Sequence, residues 1–210
     1  MDLFAALRGR RSIRRFAKRP VPRTLLDQLL STACLAPAPH HSQPWRFVVL
    51  GARARAALAE AIGARWRRDL EADGVPEARI AVLLARSRAQ IESAPALVLA
   101  CLVKEGQRPW PEEARRRAEW LMAVQSMGAA LQNLMLAAHA RGLGSFWISA
   151  PLFCPEAVRE ALDLPHEYVA QALIALGYPH SEVSPVPVST PNTMGRVQTG
   201  LVEIGRMGIA

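Results

Sequence analysis

Between Glu112 and Arg141 some thirty residues run without a proline, and Gly128 is the single glycine among them. Met122, Val124, Met127, Leu131, Leu134, Met135 and Ala138 make that stretch apolar around much of its circumference. A helix of this kind is buried in a large core or against a partner. The run ALVLACLV, Ala96–Val103, adds a second constraint. It is continuous, apolar and of strand length, as expected of a central strand covered on both faces. A chain of 210 residues that is 50% hydrophobic can build such a core once, as one domain or as a compact unit that pairs with itself.

The remaining segments supply the layers around that core. Asp2–Arg8 reads as a short amphipathic helix, and Arg10–Pro20, too charged to be core, as a connecting arm. After Pro22, the segment PRTLLDQLLSTACLA sets Leu25, Leu26, Leu29, Leu30 and Ala33 on one helix face, and Pro37 stops it. Arg46–Leu50 predicts a short strand. Ala52–Ala72 and Pro76–Glu92 predict two helices parted at Gly74. The RGLG turn ends the long helix and starts a strand near Ser145–Ile148. Cys154–Leu162 predicts a short helix and Tyr168–Gly177 a last strand. This order predicts an α+β fold, a mixed sheet with a large helical layer, over residues 1–178. From Pro179 the sequence loses periodicity, and 179–210 is expected as an irregular tail, either disordered or strapped across another subunit.

The net charge of +8 is concentrated at one end. Residues 1–23 hold eight basic side chains (Arg8, Arg10, Arg11, Arg14, Arg15, Lys18, Arg19, Arg23) against Asp2 alone, which leaves +1 for everything after. A duplex-binding face spreads its cations over a surface. One short basic segment suits a local anion clamp instead, so no nucleic-acid partner is expected. Arginine outnumbers lysine 24 to 2, and guanidinium suits bidentate phosphate contact. No apolar run approaches the ~20 residues that span a bilayer. In MDLFAALRGRRSIRRF the charges follow the apolar turn, the wrong order for a secretory signal. Cys34, Cys101 and Cys154 match no disulfide or zinc spacing. A cytoplasmic protein with reduced, buried thiols and no membrane partner is the expectation.

The loop at the head of APAPHHSQPWRFVVL (Ala36–Leu50) is the oddest segment. Pro37, Pro39 and Pro44 each fix φ and remove a donor, so it cannot be a helix and has little freedom. A stiff loop with two imidazoles, a serine and a glutamine suits a metal site, a nucleophile with its base, or a wall for a flat cofactor. The adjacent side chains of His40 and His41 diverge and no carboxylate or cysteine accompanies them, so no metal is expected. No GxSxG elbow is present, and Gly142–Gly144 lacks the dinucleotide fingerprint. A flavin fits better. In an extended arm Arg10, Ser12 and Arg14 of RRSIRRF point to one side and offer cations and a hydroxyl to a phosphate and a polyol. A plain solvated charge run remains the alternative.

RRSIRRF (Arg10–Phe16), followed by APAPHHSQPWRF (Ala36–Phe47), resembles the paired signature of the nitroreductase family of FMN oxidoreductases, and MGAALQNLMLAAHARGLGSFWI (Met127–Ile148) resembles its central dimer helix and the turn beyond. The similarity covers roughly residues 8–178. It implies a nitroreductase-like two-fold homodimer with FMN at the interface. Arg10 would hold the phosphate, Ser12 the ribityl chain, and Arg14 the N1/O2 edge of the ring, with Arg11 also among the cofactor-binding residues. Pro37, Ala38, Pro39, His41, Ser42 and Gln43 would come from the opposite subunit. Backbone at Trp147, Ile148 and Ser149 would face the ring, and Arg196 would be a late phosphate contact. No catalytic residue beyond the flavin is implied. Ala38 and His41 replace the family's usual serine and asparagine, and ISAPLF lacks its acidic residue. APAPHH, RWRRDLEADGVP and ARGLGSFWI look most like the C-terminal reductase domain of the two-domain enzyme that finishes coenzyme F-420. That resemblance implies reduction of a dehydro-deazaflavin precursor by reduced FMN. A general NAD(P)H-dependent nitro- or quinone reductase and a non-catalytic flavin- or deazaflavin-binding protein stay open. Arg65, Arg67 and Arg68 around Trp66, or Arg115–Arg117 before Trp120, would form a basic rim for an anionic substrate, or simply solvated helix faces.

Overall fold

The apolar run expected at the centre of a sheet is strand β2, Ala96–Leu102, and every one of its residues is buried. The computed structural model describes residues 1–181. β2 lies between β1 (Trp45–Val49) and β4 (Val169–Gly177), and β3 (Gly144–Ile148) completes the order β1–β2–β4–β3. All three pairings are antiparallel, with Val98 opposite Ile174 and Val48 opposite Leu99, and a bulge falls at Ala100/Cys101.

Because side chains alternate along a strand, β2 feeds two cores. Val98, Ala100 and Leu102 face helices α2 (Arg23–Ala33) and α5 (Glu113–Ala140). Leu97, Leu99 and Cys101 face α3 (Ala52–Ala72), α4 (Glu77–Glu92) and α6 (Pro155–Ala161). The sheet is thus covered on both sides, the α+β arrangement expected. Each fully buried Leu or Ile in these layers contributes about 1.5–3 kcal/mol relative to exposure.

Helix α1 (Leu3–Gly9) starts at Asp2, whose Oδ1 accepts from the Ala5 amide at 2.9 Å. It lies against the end of α5. A Cβ on Gly9 would sit 2.7 Å from His139 Nε2, so a side chain there would require the imidazole to shift. α5 ends as its glycine chemistry requires: Gly142, at φ +75, donates to the His139 carbonyl, and Leu143 to that of Ala138. On length and composition α5 is apolar enough to cross a membrane, contrary to the expectation that no run approached that mark. Its buried residues, among them Ala123, Leu131 and Leu134, belong to the core shared with α2 and the sheet. Leu121, Met122 and Val124 stay exposed on its other side.

The arm after α1 is the edge of the sheet. Ser12 bridges Ser145 in parallel, and the Ile13 amide donates to the Ser145 carbonyl at 2.9 Å. This isolated bridge is the one parallel pairing among the described residues; the four strands themselves are antiparallel throughout, where a mixed sheet was expected. Farther on, Phe16 pairs with Pro179, Ala17 donates to the Tyr178 carbonyl, and His180 donates to that of Arg15. Arg196 and the tail from residue 182 lie outside the described residues.

Candidate functional site

Backbone pairing fixes the arm, and the pairing decides which side chains face out. Ile13 packs onto Gly144, where a Cβ would come within 2.7 Å of the Ile13 Cβ. Ser12 and Arg14, on either side of it, are exposed. Arg10 caps α1, donating its amide to the Ala6 carbonyl at 3.0 Å. The Arg11 guanidinium turns back to donate to the carbonyls of Arg8 (2.7 Å) and Arg10 (2.8 Å), so it fastens the helix end and does not face outward with Arg14. The Arg14 guanidinium lies over the Phe146 ring, 4.1 Å from its centroid, a cation–π contact that orients it.

Arg14 and Phe146 stand on the wall of a cavity of about 660 Å³ that opens between β3 and the α3–α4 hairpin. That is within the usual size of a small-molecule site. Two matching helical stripes build its far side: Ile62, Arg65, Trp66 and Asp69 on α3, then Leu83, Arg86, Ser87 and Gln90 on α4. Each set follows i, i+3, i+4, i+7 spacing. Asp69, the one carboxylate on the wall, is engaged by Arg65 at 3.0 and 3.2 Å. Arg14 and Arg86 are therefore uncompensated within the cavity. Of the basic rim expected from the sequence, Arg65 and Trp66 line the cavity. Arg67 turns away to Glu71 and Glu77, Arg68 reaches toward the Ala64 carbonyl, and Arg115 pairs with Glu112 and stacks on Trp110. Arg86, Phe146 and Phe153 were not foreseen; the α4 stripe was legible, but the face it presents is set by the hairpin.

Beyond Phe146 the chain places Trp147 on the α5 side of the sheet, half exposed, and buries Ile148 on the α3 side. The Ser149 carbonyl accepts from the Leu152 amide and opens a 3-10 turn, Ala150–Phe153. Cys154 follows on the cavity wall. Burial pushes its thiol pKa up against the opposing charge of Arg65, with smaller upward effects of Asp69 and Glu156, and it donates weakly to the Ala150 carbonyl. Cys101, inside the sheet, is pushed up to about 12 by burial. Neither is a ready thiolate. Among the described residues no group of three or more His, Cys, Asp or Glu side chains gathers to ligate a metal.

The proline-rich loop contains one 3-10 turn, Pro39–His41, where no helical geometry was expected. The proline at its head supplies a helical φ, and the next residues leave the right-handed region: His40, His41 and Gln43 have φ of 53°, 55° and 43°. Each such non-glycine conformation costs about 1–3 kcal/mol and persists only where surroundings over-determine it. Pro37 is exposed, Ala38 and Pro39 half-buried, and His41 and Gln43 exposed. The Ser42 Oγ is buried without a hydrogen-bond partner. Gly106, at φ +76, abuts Ser42, where a Cβ would lie 3.0 Å from the serine Cβ. Arg46 donates to the carbonyls of Gln43 (3.3 Å) and Trp45 (2.9 Å) and pairs with Glu105.

Under the loop lies Glu119 of α5, 3% exposed. Its Oε1 accepts from the Arg108 amide at 3.2 Å and stands 3.6 Å from His40 Nε2; its Oε2 accepts from Trp110 Nε1 at 3.2 Å. Burial alone would raise this carboxyl's pKa. The Arg108 amide, the Trp110 indole and the charges of His40 and Arg108 outweigh that and hold it below the usual carboxylate value. Sequence reasoning missed Glu119, because the charged start of α5, EARRRAEW, reads as a solvated turn.

Arm and loop do not meet within one chain. The arm borders β3, the loop runs into β1, and β4 and β2 separate them. Three strand spacings put them about 14 Å apart before the arm's own width is added.

Residues 7–178 match the model of the nitroreductase family. The chain is 35% identical to an NADH dehydrogenase of Thermus thermophilus, over 88% of this chain and 90% of that protein. It is 32% identical to a 5,6-dimethylbenzimidazole synthase of Rhodospirillum rubrum, over 88% of this chain and 85% of that protein. A structure of a protein described as a nitroreductase from Desulfovibrio desulfuricans, in complex with FMN, superposes with a TM-score of 0.64 at 26% identity, over 90% of this chain and 93% of that one.

Proposed function

The chain belongs to the nitroreductase family, and we propose that it is an FMN-dependent oxidoreductase whose flavin sites are each built by two copies of the chain. The observation that carries this reading is the arm: extended, paired to β3, with Arg14 stacked on Phe146 at the mouth of an aromatic-walled cavity. The residues present fit FMN. When bound, FMN supplies the hydride and electron-transfer chemistry. Arg10 offers a charge-assisted contact to its phosphate and Ser12 a hydroxyl to the ribityl chain. Arg14 would set a positive charge beside the pyrimidine edge, where negative charge grows on reduction, and its stacking on Phe146 orients it beforehand. Arg11 keeps the start of the arm folded against α1. Backbone at Trp147, Ile148 and Ser149 would flank the ring, and Arg196 is retained as a late phosphate contact.

The separation of arm and loop supports the two-copy arrangement. Pro37, Ala38, Pro39, His41, Ser42 and Gln43 would then serve the flavin of the neighbouring copy. The unpartnered Ser42 hydroxyl is the group such a ligand would satisfy. The exposed Leu121, Met122 and Val124 of α5, with Leu3, Phe4 and Leu7 of α1, give the homodimer its apolar face. The unit would be residues 1–178, extended by Pro179 and His180, which pair with the arm of their own chain.

For the substrate, the cavity suits a planar anion: Trp66, Phe146 and Phe153 offer flat faces, and Arg14 and Arg86 offer charge. This supports the dehydro precursor of the deazaflavin F-420 as the oxidant of reduced FMN. The 35% identity to an NADH dehydrogenase favours a second reading, a general NAD(P)H-dependent nitro- or quinone reductase. Anaerobic reoxidation of the reduced FMN-loaded protein separates them: faster reaction with the deazaflavin precursor than with nitrofurans or quinones supports the first. A protein that stays colourless after FMN reconstitution, or is monomeric at working concentration, would remove both.

A further inference from the structure

Glu119 is the one charged side chain fully buried among the described residues, and no flavin contact accounts for it. An ionised carboxylate is taken out of water at a large cost unless its lone pairs are met. Its neighbours on α5, such as Ala123 and Met127, show what the core prefers there. Glu119 instead spends both oxygens on the rim of the site: Oε2 on the Trp110 indole, Oε1 on the Arg108 amide and toward His40 Nε2 at 3.6 Å. Arg108 and Trp110 belong to the segment 103–112, whose Gly106 presses on Ser42 and whose Val103 amide donates to the Pro44 carbonyl at 2.8 Å. One carboxylate therefore stands within ion-pair reach of the loop's histidine and hydrogen-bonds the segment that braces the loop's serine. His40, the residue it reaches, opens the run of left-handed residues, and His41 and Gln43 share that conformation.

We propose that Glu119 is a positioning residue: by holding His40 and the 108–110 backbone it keeps His41, Ser42 and Gln43 in the strained geometry in which they serve the neighbouring copy's flavin. This rests on the two-copy flavin site proposed above. It assigns His40 a part played inside its own chain, as the handle by which α5 sets the loop. It also ties the loop to the helix that carries the exposed apolar face, so that the pairing surface and the flavin-facing residues move as one body.

The test compares Glu119→Gln, His40→Asn and the double variant in the full chain. Asparagine tolerates the left-handed conformation at position 40. Each single variant is expected to remain dimeric by sedimentation, to raise the FMN dissociation constant about tenfold, and to speed hydrogen exchange at the amides of His41, Ser42 and Gln43. The double variant should bind FMN no more weakly than the worse single variant, since both remove one contact. Wild-type FMN affinity in either single variant, or multiplied losses in the double, would overturn the assignment. Should Glu119→Gln fail to fold, His40→Asn alone decides by the same two readouts. Failure of the wild-type chain to bind FMN would defeat the flavin reading, while loop exchange would still decide whether Glu119 positions the loop: faster exchange supports it, unchanged exchange overturns it.

Discussion

The arm and the proline-rich loop reach the two opposite edges of the sheet, and they are held there by different physics. Main-chain pairing places the arm: Ile13 to Ser145, Ala17 to Tyr178, with room left for Ile13 by the glycine at position 144. Its guanidiniums hang from that frame. Side chains place the loop: a buried glutamate, Arg46 on the Gln43 carbonyl, and prolines that narrow the alternatives. Its left-handed residues are stretched against their preferences. An edge strand tolerates many sequences, so the arm is robust to change except where it must come close. The loop has few tolerant positions and depends on a residue more than seventy positions away.

That contrast can be broken most strongly at the arm's point of approach. Gly144→Val places methyl groups where Ile13 already sits. Overpacking of this kind costs about 1–3 kcal/mol, and here it should also lift the arm off β3, so that thermal melting falls by several degrees and FMN retention is lost. Retained FMN would mean that the arm's pairing does not set the clamp. Arg10→Ala leaves the frame in place and removes one charge-assisted contact of about 1.5–3 kcal/mol, so a fluorescence titration should show FMN binding weakened roughly tenfold to a hundredfold.

Acid should tell the two regions apart as well. The Glu119 carboxyl has a folded-state pKa below its ordinary 4.5. Its charged form therefore stabilises the fold above that value, and the contribution is lost as pH falls from 4.5 through the lowered folded-state value. Wild type should lose stability there more steeply than Glu119→Gln in chemical denaturation; parallel profiles would remove the carboxylate from the account. The smallest effect belongs to the cavity. Arg86→Ala should leave FMN affinity and melting unchanged and raise KM several-fold for an anionic nitroaromatic, such as 4-nitrobenzoate, but not for its neutral methyl ester. Equal changes for both would argue against Arg86 as an anion contact.

Much of the fold was legible because two segments had no other solution. ALVLACLV could only be a covered strand, and the proline-free stretch around Met127 only a buried or partnered helix. The arm was legible as an extended segment with alternating faces, but its pairing beside β3 was not, since nothing in RRSIRRF names the strand that takes it. The rest depended on tertiary neighbours. Nothing in HHSQ announces left-handed backbone at His40, His41 and Gln43, since glycine is absent. Arg11 looked as available as Arg10 until its guanidinium was found on the end of α1. Arg67 and Arg65 are two residues apart in a basic cluster, yet one lines the cavity and the other serves the opposite helix face.

The stitching of Phe16 to Pro179 and of His180 to Arg15 brings the beginning and the late part of the chain side by side. A fluorophore or solid support attached at position 180 would thus pull on the arm whose arginines are proposed to hold the flavin. Anyone immobilising this protein as a biocatalyst would do better to anchor it through the outward side of α4, for instance at a cysteine introduced by Ala89→Cys, where the attachment leaves both strands of that seam undisturbed.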